Sequence, residues 1–534
     1  MTQTARLTRW WERSGLGQTL LVALTVAFGL QLMRMLLAEL VFYLRDSLGA
    51  APAMAGICAL AVFSLAFLAP YIRRLLDPKA ALLLTAGGVS LMRLAEQAVH
   101  LPAADLALAA LGTAFFLMFV PIFLLYPQDR DHRIGEQLAF GLLLGLALDT
   151  TLKGMFATLD LSWQSGPAAH GIVAFLVGLH LLLLAAMARR NLALSTKGGI
   201  SRPTLLLALG PVLFLELLLF QNVGQQTALI NRSQPAVFLW LATANAVGIA
   251  AATGVMMRPS YGGPLTVAAL IGLFVLLSFG ERTGAAAATT AFYGTVTLGI
   301  TVGMIGVGLG SGTTIASSLR VFLVSGLGLF LLLLLTFLYY VDYVISIPAG
   351  NKVVLLLGVA VLLMAVSQTL SFRSQPNAWR LSWTPAAASL LLLVLPLGYL
   401  FAWEDPEPSV PGGYPVRVMS YNLHQGFGMD GMLTIAQQAD IIKEQKPDII
   451  ALQEVSRGWL LDGSFDMLVW LSNRLDMPYV WGPAADSVWG NAILSRYPMA
   501  NPRTYPMPNN NQIAMKHSFT TVRIQLATGE PLTV

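Results

Sequence analysis

The sequence predicts an all-α polytopic membrane bundle followed by a small α/β domain. Two observations carry this prediction. Of the 534 residues, 56% are hydrophobic and only 11% are charged, whereas a soluble protein carries about a quarter charged residues. The charged residues are also unevenly placed, since the last 120 positions hold 19 of the 59 Lys, Arg, Asp and Glu residues. A membrane region with a soluble tail explains both observations.

Thirteen apolar stretches are long enough to cross a bilayer as helices, which takes about 20 residues. The first is too long for the apolar core of a signal peptide, so we expect a true first span. The stretch at 135–158 carries Asp149 and Lys153, and the stretch at 263–279 is short, so these two indicate a span least strongly. The thirteen stretches lie at 17–41, 51–72, 80–99, 103–125, 135–158, 168–188, 203–223, 235–256, 263–279, 289–309, 319–341, 352–370 and 385–402.

Basic residues between the stretches predict the orientation. If the N-terminus is cytoplasmic, sixteen Lys and Arg residues fall on the cytoplasmic side and four on the other, as the positive-inside rule requires. After thirteen spans the chain emerges outside the cytoplasm, and the alanine- and leucine-rich spans favour a bacterial inner membrane. The cytoplasmic set is Arg6, Arg9, Arg13, Arg73, Arg74, Lys79, Arg130, Arg133, Arg189, Arg190, Lys197, Arg202, Arg258, Arg320, Arg373 and Arg380; the other set is Arg45, Arg232, Arg282 and Lys352.

Composition excludes some classes of site. The formal net charge of +5 gives no argument for nucleic-acid binding, because most basic residues lie in short loops where membrane orientation explains them. Cys58 is the only cysteine, which excludes an intrachain disulfide and a cysteine metal site. We therefore expect no disulfide framework.

Ionisable residues inside the spans have two interpretations. They are costly in a bilayer and mark functional pathways by default, but they also pair between helices or extend to the membrane surface. Asp149 and Lys153 are spaced i, i+4 and are expected to neutralise each other; Arg93 and Glu96 are expected to do the same at i, i+3. Four polar residues have no obvious partner nearby in sequence: Arg34, Glu39, Glu216 and Asn245.

The chain divides into a membrane domain at 1–402, an acidic, Pro/Gly-rich linker at 403–414 and a tail domain at 415–534. In the tail, alternation over 416–422 predicts a strand, and an apolar stripe over 430–446 predicts an amphipathic helix. Further elements are expected in order: a buried parallel strand at 448–455, a helix at 464–477, strands at 478–482 and 490–499, and a hairpin at 517–534 with Thr528 and Gly529 in its turn.

Two polar side chains stand at the ends of neighbouring predicted strands. Asn422 ends the first strand, and Glu454 lies at the end of the second. Open α/β sheets place ligand sites at the carboxyl ends of their strands. A carboxylate beside a carboxamide suits Mg²⁺ (or Mn²⁺), which uses one or two carboxylates plus water and substrate phosphate. Spacing alone leaves a structural alternative open, because a glutamate after a strand is often a cap or an ion-pair partner.

Three segments carry a family resemblance: "SYNLHQGFGMDG", "PDIIALQEV" and "WGNAILSRYPM", in this order. Together they resemble the first half of the endonuclease/exonuclease/phosphatase superfamily, the deoxyribonuclease I-like fold. The resemblance covers about residues 415 to 534. It implies a two-sheet α/β sandwich, of which this chain has a part, and Mg²⁺-dependent hydrolysis of phosphodiesters or phosphomonoesters.

The resemblance also implies roles for individual residues. Asn422 falls on the first-strand asparagine at the phosphate and metal centre, and Glu454 falls on the metal-binding glutamate. His424 would contact the substrate or serve a structural role, the two being equally open. Three further residues, interpreted as structural or as supporting the metal-binding residues, are Gln453, Asn491 and Arg496.

The chain also departs from the family pattern. Members continue into a Thr-His-Leu motif, an Asp-x-Asn motif and a C-terminal Asp-His pair, which supply the general base and the groups that stabilise the transition state. None of these is present before Val534. Metal-assisted hydrolysis needs an activated water and a clamp on the developing charge as well as a metal ligand. We therefore expect that the sequence is part of a longer protein and that residues 1–534 alone are not catalytically competent.

The layout of many spans before an outward-facing domain is similar to membrane proteins that remodel the lipid of glycosylphosphatidylinositol anchors. These resemblances lead to the expectation of an extracytoplasmic phosphoesterase acting on phospholipids or lipid-linked head groups, with membrane lipids and not nucleic acid as partners. Four tail tryptophans would line a lipid-facing rim or belong to the core: Trp459, Trp470, Trp481 and Trp489.

The alternative is a transporter or flippase whose activity resides in the spans and whose tail is a regulatory or binding module. Its pathway would use Glu216, Arg34 and the Asp149/Lys153 pair. A third alternative is an inactive fragment. Loss of activity on Glu454→Ala would favour the enzyme, and loss on Glu216→Ala with tail hydrolysis intact would favour the transporter.

Overall fold

Thirteen long helices form a bundle, and a small domain of two β-sheets follows it, within the residues that the computed structural model describes. These are 15–126, 134–189, 199–311, 314–345, 350–372, 383–410, 412, 414–508 and 515–534. Nine basic residues of the predicted orientation lie outside the described residues: Arg6, Arg9, Arg13, Arg130, Arg133, Arg190, Lys197, Arg373 and Arg380.

Each predicted span contains a helix. A short helix, α8, separates two of them. In chain order the helices are α1 (Leu16–Ser47), α2 (Pro52–Leu75), α3 (Pro78–Ala98), α4 (Pro102–Leu124), α5 (Ile134–Met155), α6 (Pro167–Ala188), α7 (Pro203–Phe220), α8 (Val223–Ile230), α9 (Gln234–Met257), α10 (Pro259–Phe279), α11 (Gly284–Leu309), α12 (Ser318–Val341), α13 (Lys352–Ser371) and α14 (Thr384–Ala402).

Twelve of the thirteen long helices are long and apolar enough to cross a membrane. In the described part of the chain the exception is α3, which carries a buried ion pair between Arg93 and Glu96 at 2.7 Å, as the spacing predicts. The stretches at 135–158 and 263–279, which gave the weakest sequence indication of a span, correspond to α5 and α10. Both helices are long and apolar enough to cross a membrane. The protein is therefore an integral multi-pass membrane protein.

Contacts with the tail show that α3 also crosses. The C-terminal ends of α1, α5, α7 and α12 all lie against the tail domain, on the face of the bundle that we call the tail face. These are the first, fifth, seventh and eleventh long helices. Successive long helices that alternate in direction can all end on the tail face at these positions only if α3 is also counted as a crossing. The start of α1 and the tail domain consequently lie on opposite faces.

In the residues described, the tail domain contains two sheets and two α-helices. The first sheet has strand order β1-β2-β4-β3, with β1 and β2 parallel, and the second has order β5-β6-β7. The strands are β1 (Val418–Asn422), β2 (Ile449–Ser456), β3 (Tyr479–Asp486), β4 (Trp489–Ser495), β5 (Met499–Pro506), β6 (Ser518–Gln525) and β7 (Pro531–Thr533); the helices are α15 (Ile435–Gln445) and α16 (Met467–Leu475). This arrangement is the expected two-sheet α/β sandwich.

Apolar faces hold the tail together in two layers. One cluster packs α15 and α16 against the first sheet through side chains such as Ile442, Leu452 and Leu468. The other lies between the two sheets and includes Ile449, Ile493 and Val522. The first cluster fixes β1 against β2, and with them the strand ends that carry the candidate site residues.

Two details of the tail differ from the sequence prediction. Helix α15 begins at Ile435 and not at 430, because the preceding segment closes on itself through a hydrogen bond from the Thr434 N–H to the Gly426 carbonyl. Strand β5 was not predicted as a separate strand; Pro502 and Pro506 lie in it, and proline disfavours a strand assignment. The hairpin turn at Gly529 is confirmed, with φ of 86°.

Candidate functional site

Asn422 and Glu454 lie side by side at the carboxyl ends of β1 and β2. The Asn422 Nδ2 donates to Oε1 of Glu454 at 2.9 Å. The parallel register that pairs Asn422 with Gln453 places the two side chains at one sheet edge. The structure thus brings these two candidate site residues together.

A β-bulge, which the sequence did not predict, sets the direction of the Glu454 side chain. Between Leu452 and Val455 the register of β2 against β4 shifts by one residue, and Glu454 has φ of 55°. A bulge inserts an unpaired residue and redirects its side chain. Non-glycine residues with positive φ are uncommon, and such strain concentrates at functional sites. The backbone therefore turns Glu454 out of the ladder toward Asn422.

His424 belongs to a tight turn after β1. Its backbone N–H donates to Oδ1 of Asn422 at 2.9 Å, so both ends of the Asn422 amide are engaged. The ring Nδ1 lies 3.3 Å from the Phe427 carbonyl, and Nε2 lies 3.5 Å from Oδ2 of Asp46. His424 thus contacts the membrane domain. Among the described residues no contact joins its side chain to Glu454.

The loop after β1, residues 424–433, rests on the C-terminal part of α1. The rings of Phe42 and Phe427 stack with centroids 3.7 Å apart. Gly431 has φ of 83°, and a Cβ there would lie 2.6 Å from Cα of Tyr43. A glycine is required for this approach. The candidate site is therefore next to the tail face of the membrane bundle.

The other predicted site residues have structural contacts. Gln453 donates to Oγ of Ser420 at 3.3 Å, across the β1–β2 pair. Asn491 donates to the Ser518 carbonyl at 2.9 Å and so links β4 to β6 of the second sheet. The Arg496 N–H donates to the Asp448 carbonyl at 2.9 Å. None of these contacts reaches Asn422 or Glu454.

The intramembrane candidates do not pair as expected. Asp149 binds Arg34 instead of Lys153, through contacts of 2.6 and 2.8 Å, and Arg34 also binds Asp160 at 2.5 and 2.9 Å. Sequence spacing missed Asp160 because it lies 126 residues from Arg34, in the loop after α5. The two carboxylates compensate the buried guanidinium.

Lys153 reaches the tail domain. Its Nζ donates to the carbonyls of Gly463 and Ser464, both at 3.2 Å. Glu216 begins a π-helical segment at the end of α7, and its Oε2 has no hydrogen-bond partner among the described residues. Asn245 does have a partner, since its side chain exchanges two hydrogen bonds with that of Gln221.

The segment 457–466 after β2 forms the main docking surface of the tail. Asn222 donates to the Gly458 carbonyl at 2.6 Å, and the Leu460 N–H donates to the Tyr340 hydroxyl at 2.7 Å. Trp459 packs against Tyr343 with ring centroids 4.7 Å apart. Trp459 therefore lies at the junction of the two domains and does not form a lipid-facing rim.

A family comparison identifies the tail. Residues 416–516 match the model described as PGAP2IP, C-terminal nuclease-like domain. This match confirms the resemblance to the endonuclease/exonuclease/phosphatase superfamily for that part of the chain. Asn422, Glu454 and the docking segment 457–466 all lie within the nuclease-like domain.

Two solved structures are similar to a larger share of the chain. Both are of a bacterial homologue of the human lysosomal transporter Spinster, in inward-facing conformations. The unoccupied form is 14% identical with a TM-score of 0.35, covering 72% of this chain and 96% of that chain. The occupied form is 17% identical with a TM-score of 0.32, covering 72% and 95%. No curated protein matches the chain.

Proposed function

We propose that the protein is a membrane-bound phosphoesterase that acts outside the cytoplasm on phospholipids or lipid-linked head groups. The observation that supports it most is the Asn422–Glu454 hydrogen bond of 2.9 Å, inside a segment that matches a nuclease-like domain. The two residues occupy the sheet edge where α/β folds bind ligands.

The donor chemistry of the site fits Mg²⁺ or Mn²⁺. Among the described residues no group of three or more His, Cys, Asp and Glu side chains is placed to hold a metal ion. Mg²⁺ tolerates this, because one or two carboxylates suffice when water and substrate phosphate complete its shell. Glu454 would hold the ion, which when bound would polarise a phosphoryl oxygen and favour attack by water.

The chain's own residues prepare the site. Asn422 orients the Glu454 carboxylate through Nδ2 and is itself fixed by the His424 N–H at Oδ1. Asn422 is exposed, so its amide can meet a substrate. His424 is the histidine nearest in sequence to the site, and its ring, which contacts the Phe427 carbonyl and Asp46, would hold the loop beside Asn422.

The location of the site supports a lipid substrate. The loop 424–433 contacts α1 through Phe42 and Asp46, so the site is next to the membrane bundle. Holding a catalytic domain at a surface raises its effective concentration toward substrates there. The exposed side chain of Met429 at this loop, 79% accessible, adds an apolar contact for lipid.

The extracytoplasmic location rests on charge. Seven described basic residues of the predicted set belong to the face opposite the tail and four to the tail face. The seven are Arg73, Arg74, Lys79, Arg189, Arg202, Arg258 and Arg320, and the four are Arg45, Arg232, Arg282 and Lys352. Under the positive-inside rule this distribution supports a tail that lies outside the cytoplasm. Alanine- and leucine-rich spans favour a bacterial inner membrane.

The test is hydrolysis by the complete gene product in vesicles of defined phospholipids. Release of a phosphate-bearing head group or of a diacylglycerol is followed with and without Mg²⁺. We expect Glu454→Gln and Asn422→Ala to lower the rate by at least about a hundredfold, as loss of a principal electrostatic group does. The matched control is Asp440→Asn on α15, an exposed carboxylate paired with Arg474. Equal rates for all four proteins would refute the proposal.

A second candidate function is transport through the bundle, and one specific observation supports it. Glu216 is 1% exposed and its Oε2 has no hydrogen-bond partner in the described chain, and unpaired carboxylates in spans mark ion or substrate pathways. Arg34 and Asp149 are engaged with each other, which leaves Glu216 as the principal candidate. Loss of lipid or ion flux in Glu216→Gln, with hydrolysis unchanged, would support transport.

A further inference from the structure

A cavity lies at the junction of the tail domain and the membrane bundle. Its walls come from the tail-face ends of α7, α10, α11, α12 and α13, from helix α8 and from the β3–β4 turn at residues 486–488. Its volume is about 90 Å³, measured as the space open to the centre of a water molecule, which is room for about six to nine water-sized groups. A ligand in this cavity would contact both domains at once.

The interior of the cavity is largely aliphatic. Leu218, Leu277 and Leu355 line it, and each is no more than 5% exposed. Ala291 also lines it and lies two turns into α11, so the cavity extends from the tail face into the bundle. Phe279, at the end of α10 beside the cavity, is 86% exposed. An apolar interior that adjoins a membrane-facing surface favours a hydrocarbon chain over a polar solute.

The mouth of the cavity carries two opposite charges. Glu281 and Arg282 both line it and are both exposed. None of the ion pairs in the described part of the chain includes either residue. The guanidinium and the carboxylate are therefore both available to a ligand.

The third charged residue of the lining, Asp486, is bound by the protein itself. Its Oδ2 accepts hydrogen bonds from the Tyr343 hydroxyl and from Nε1 of Trp459, the latter at 3.1 Å. Its Oδ1 accepts from the Val488 N–H at 2.8 Å. These contacts hold the β3–β4 turn over the cavity, so Asp486 shapes the wall and is not counted among the groups offered to a ligand.

Gln226 adds a buried acceptor to the lining. It is 2% exposed, and its Nε2 donates to the Leu219 carbonyl at 2.9 Å. Its Oε1 has no hydrogen-bond partner among the described residues. An unpaired buried acceptor is costly unless a ligand or a water molecule donates to it. A ligand with N–H donors therefore suits this cavity.

We propose that the cavity binds one zwitterionic phospholipid with a primary ammonium in its head group, of the phosphatidylethanolamine class. The lipid phosphate would pair with Arg282, because a guanidinium matches phosphate oxygens in geometry and charge. The ammonium N–H groups would serve Glu281 and Gln226, and part of one acyl chain would lie against the leucines. An anionic lipid would bring a like charge to Glu281, and a choline head group would supply no N–H donor.

The bound lipid would strengthen docking of the tail. The β3–β4 turn that covers the cavity is joined to the docking segment 457–466, since the Arg457 N–H donates to the Val488 carbonyl at 2.7 Å. Filling the cavity would hold this turn against the bundle and raise its protection from hydrogen exchange. The site goes beyond the proposed phosphoesterase, because it uses neither Asn422 nor Glu454.

The test is native mass spectrometry of the detergent-solubilised full chain after incubation with equal amounts of phosphatidylethanolamine, phosphatidylcholine and phosphatidylglycerol. We expect wild type to retain one phosphatidylethanolamine in preference to the other two. Arg282→Gln should lower this retention by at least about fivefold, as loss of a charged hydrogen-bond partner does. Glu281→Gln should shift the preference toward phosphatidylglycerol. The matched control is Arg232→Gln, an exposed basic residue of the tail face outside the cavity lining.

Two further measurements address the interior of the cavity and the catalytic proposal. Ala291→Leu should fill the cavity and abolish retention; if this variant does not fold, the exposed variants Arg282→Gln and Glu281→Gln still decide the question. Glu454→Gln should retain the lipid as wild type does, whatever its effect on hydrolysis.

Equal retention of the three lipids by wild type would indicate only the lipid that surrounds any membrane bundle and would overturn the proposal. Unchanged retention in Arg282→Gln would overturn it too. In vesicles, phosphatidylethanolamine should raise protection of residues 486–488 from hydrogen exchange in wild type and not in Arg282→Gln; equal protection in both proteins would contradict the role in docking.

Discussion

Oδ2 of Asp46 lies 3.5 Å from Nε2 of His424. Asp46 is near the end of the first membrane helix, and His424 lies two residues after Asn422, so the membrane domain touches the loop that leaves the candidate site. The two side chains are 21% and 33% exposed, and solvent weakens such a pair. The contact positions the loop more than it stabilises the fold.

Replacing Asp46 should therefore affect activity more than folding. We expect Asp46→Asn to lower stability by less than about 1 kcal/mol, as for other partly exposed ion pairs, and to lower kcat for the lipid phosphoester without raising KM. Unfolding midpoint and steady-state kinetics are measured together. A large loss of stability with unchanged kcat would show that the contact is structural only. Asp440→Asn again serves as the control.

Lys153 is a buried cationic contact between the domains. Lys153→Met removes two hydrogen bonds and leaves the Gly463 and Ser464 carbonyls unpaired. We expect docking of the segment 457–466 to weaken by about 1–3 kcal/mol, the usual cost of unsatisfied buried groups. Hydrogen exchange of that segment measures the change. Lys443→Met, at an exposed position of α15, should have no effect; equal effects of both variants would contradict the account.

Gly431 allows a test of close approach with a matched control. Gly431→Ala adds a Cβ 2.6 Å from Cα of Tyr43 at φ of 83°, whereas Gly529→Ala adds one at φ of 86° with nothing within 4 Å. Both substitutions carry the strain of a positive φ, about 1 kcal/mol, but only the first also separates the loop from α1. Protection of 424–433 should fall in Gly431→Ala alone. The same loss in both would mean that the close approach is not required.

Asp462 gives the tail domain a pH dependence of known sign. Burial raises the pKa of its carboxyl group from 3.8 to about 8, against the opposing charge of Lys153, and neither carboxylate oxygen has a hydrogen-bond partner among the described residues. The folded chain thus keeps a proton that the unfolded chain releases, and stability should fall as the pH rises from about 4 to about 8, by up to about 1.4 kcal/mol per pH unit.

The check is the unfolding midpoint of the tail at several pH values. Asp462→Asn should remove this slope, because asparagine does not titrate, and should leave the exchange behaviour of 424–433 unchanged. An identical pH dependence in wild type and Asp462→Asn, or a stability that rises with pH, would contradict the assignment.

Local patterns predicted most of the elements and the placement of Asn422 and Glu454 at the ends of neighbouring strands. Apolar stretches located all thirteen long helices, and two parallel strands bring their carboxyl ends to one edge by geometry. The alternation of β1 also shows which of its side chains share the exposed face. These features depend on periodicity and strand direction, which are properties of short segments.

Contacts between distant segments were not predictable in the same way. Helical spacing predicted an Asp149–Lys153 pair, but Arg34 lies closer to Asp149 once the helices pack, and Lys153 is thereby free to bind the tail. The bulge at Glu454 and the contact of Asp46 with His424 likewise depend on neighbours that one-dimensional spacing does not identify. The docking of the two domains was therefore the main feature that the sequence did not predict.

If Asn422 and Glu454 form a metal-dependent phosphoester site, the chain binds Mn²⁺ there, and this binding can be measured without knowledge of the substrate. Electron paramagnetic resonance would follow Mn²⁺ titrated into the full chain in vesicles. We predict one site per chain in wild type and in Asp440→Asn, competed by Mg²⁺ and strongly weakened in Glu454→Gln. Binding that is absent in wild type, or equally tight in Glu454→Gln, would contradict the claim.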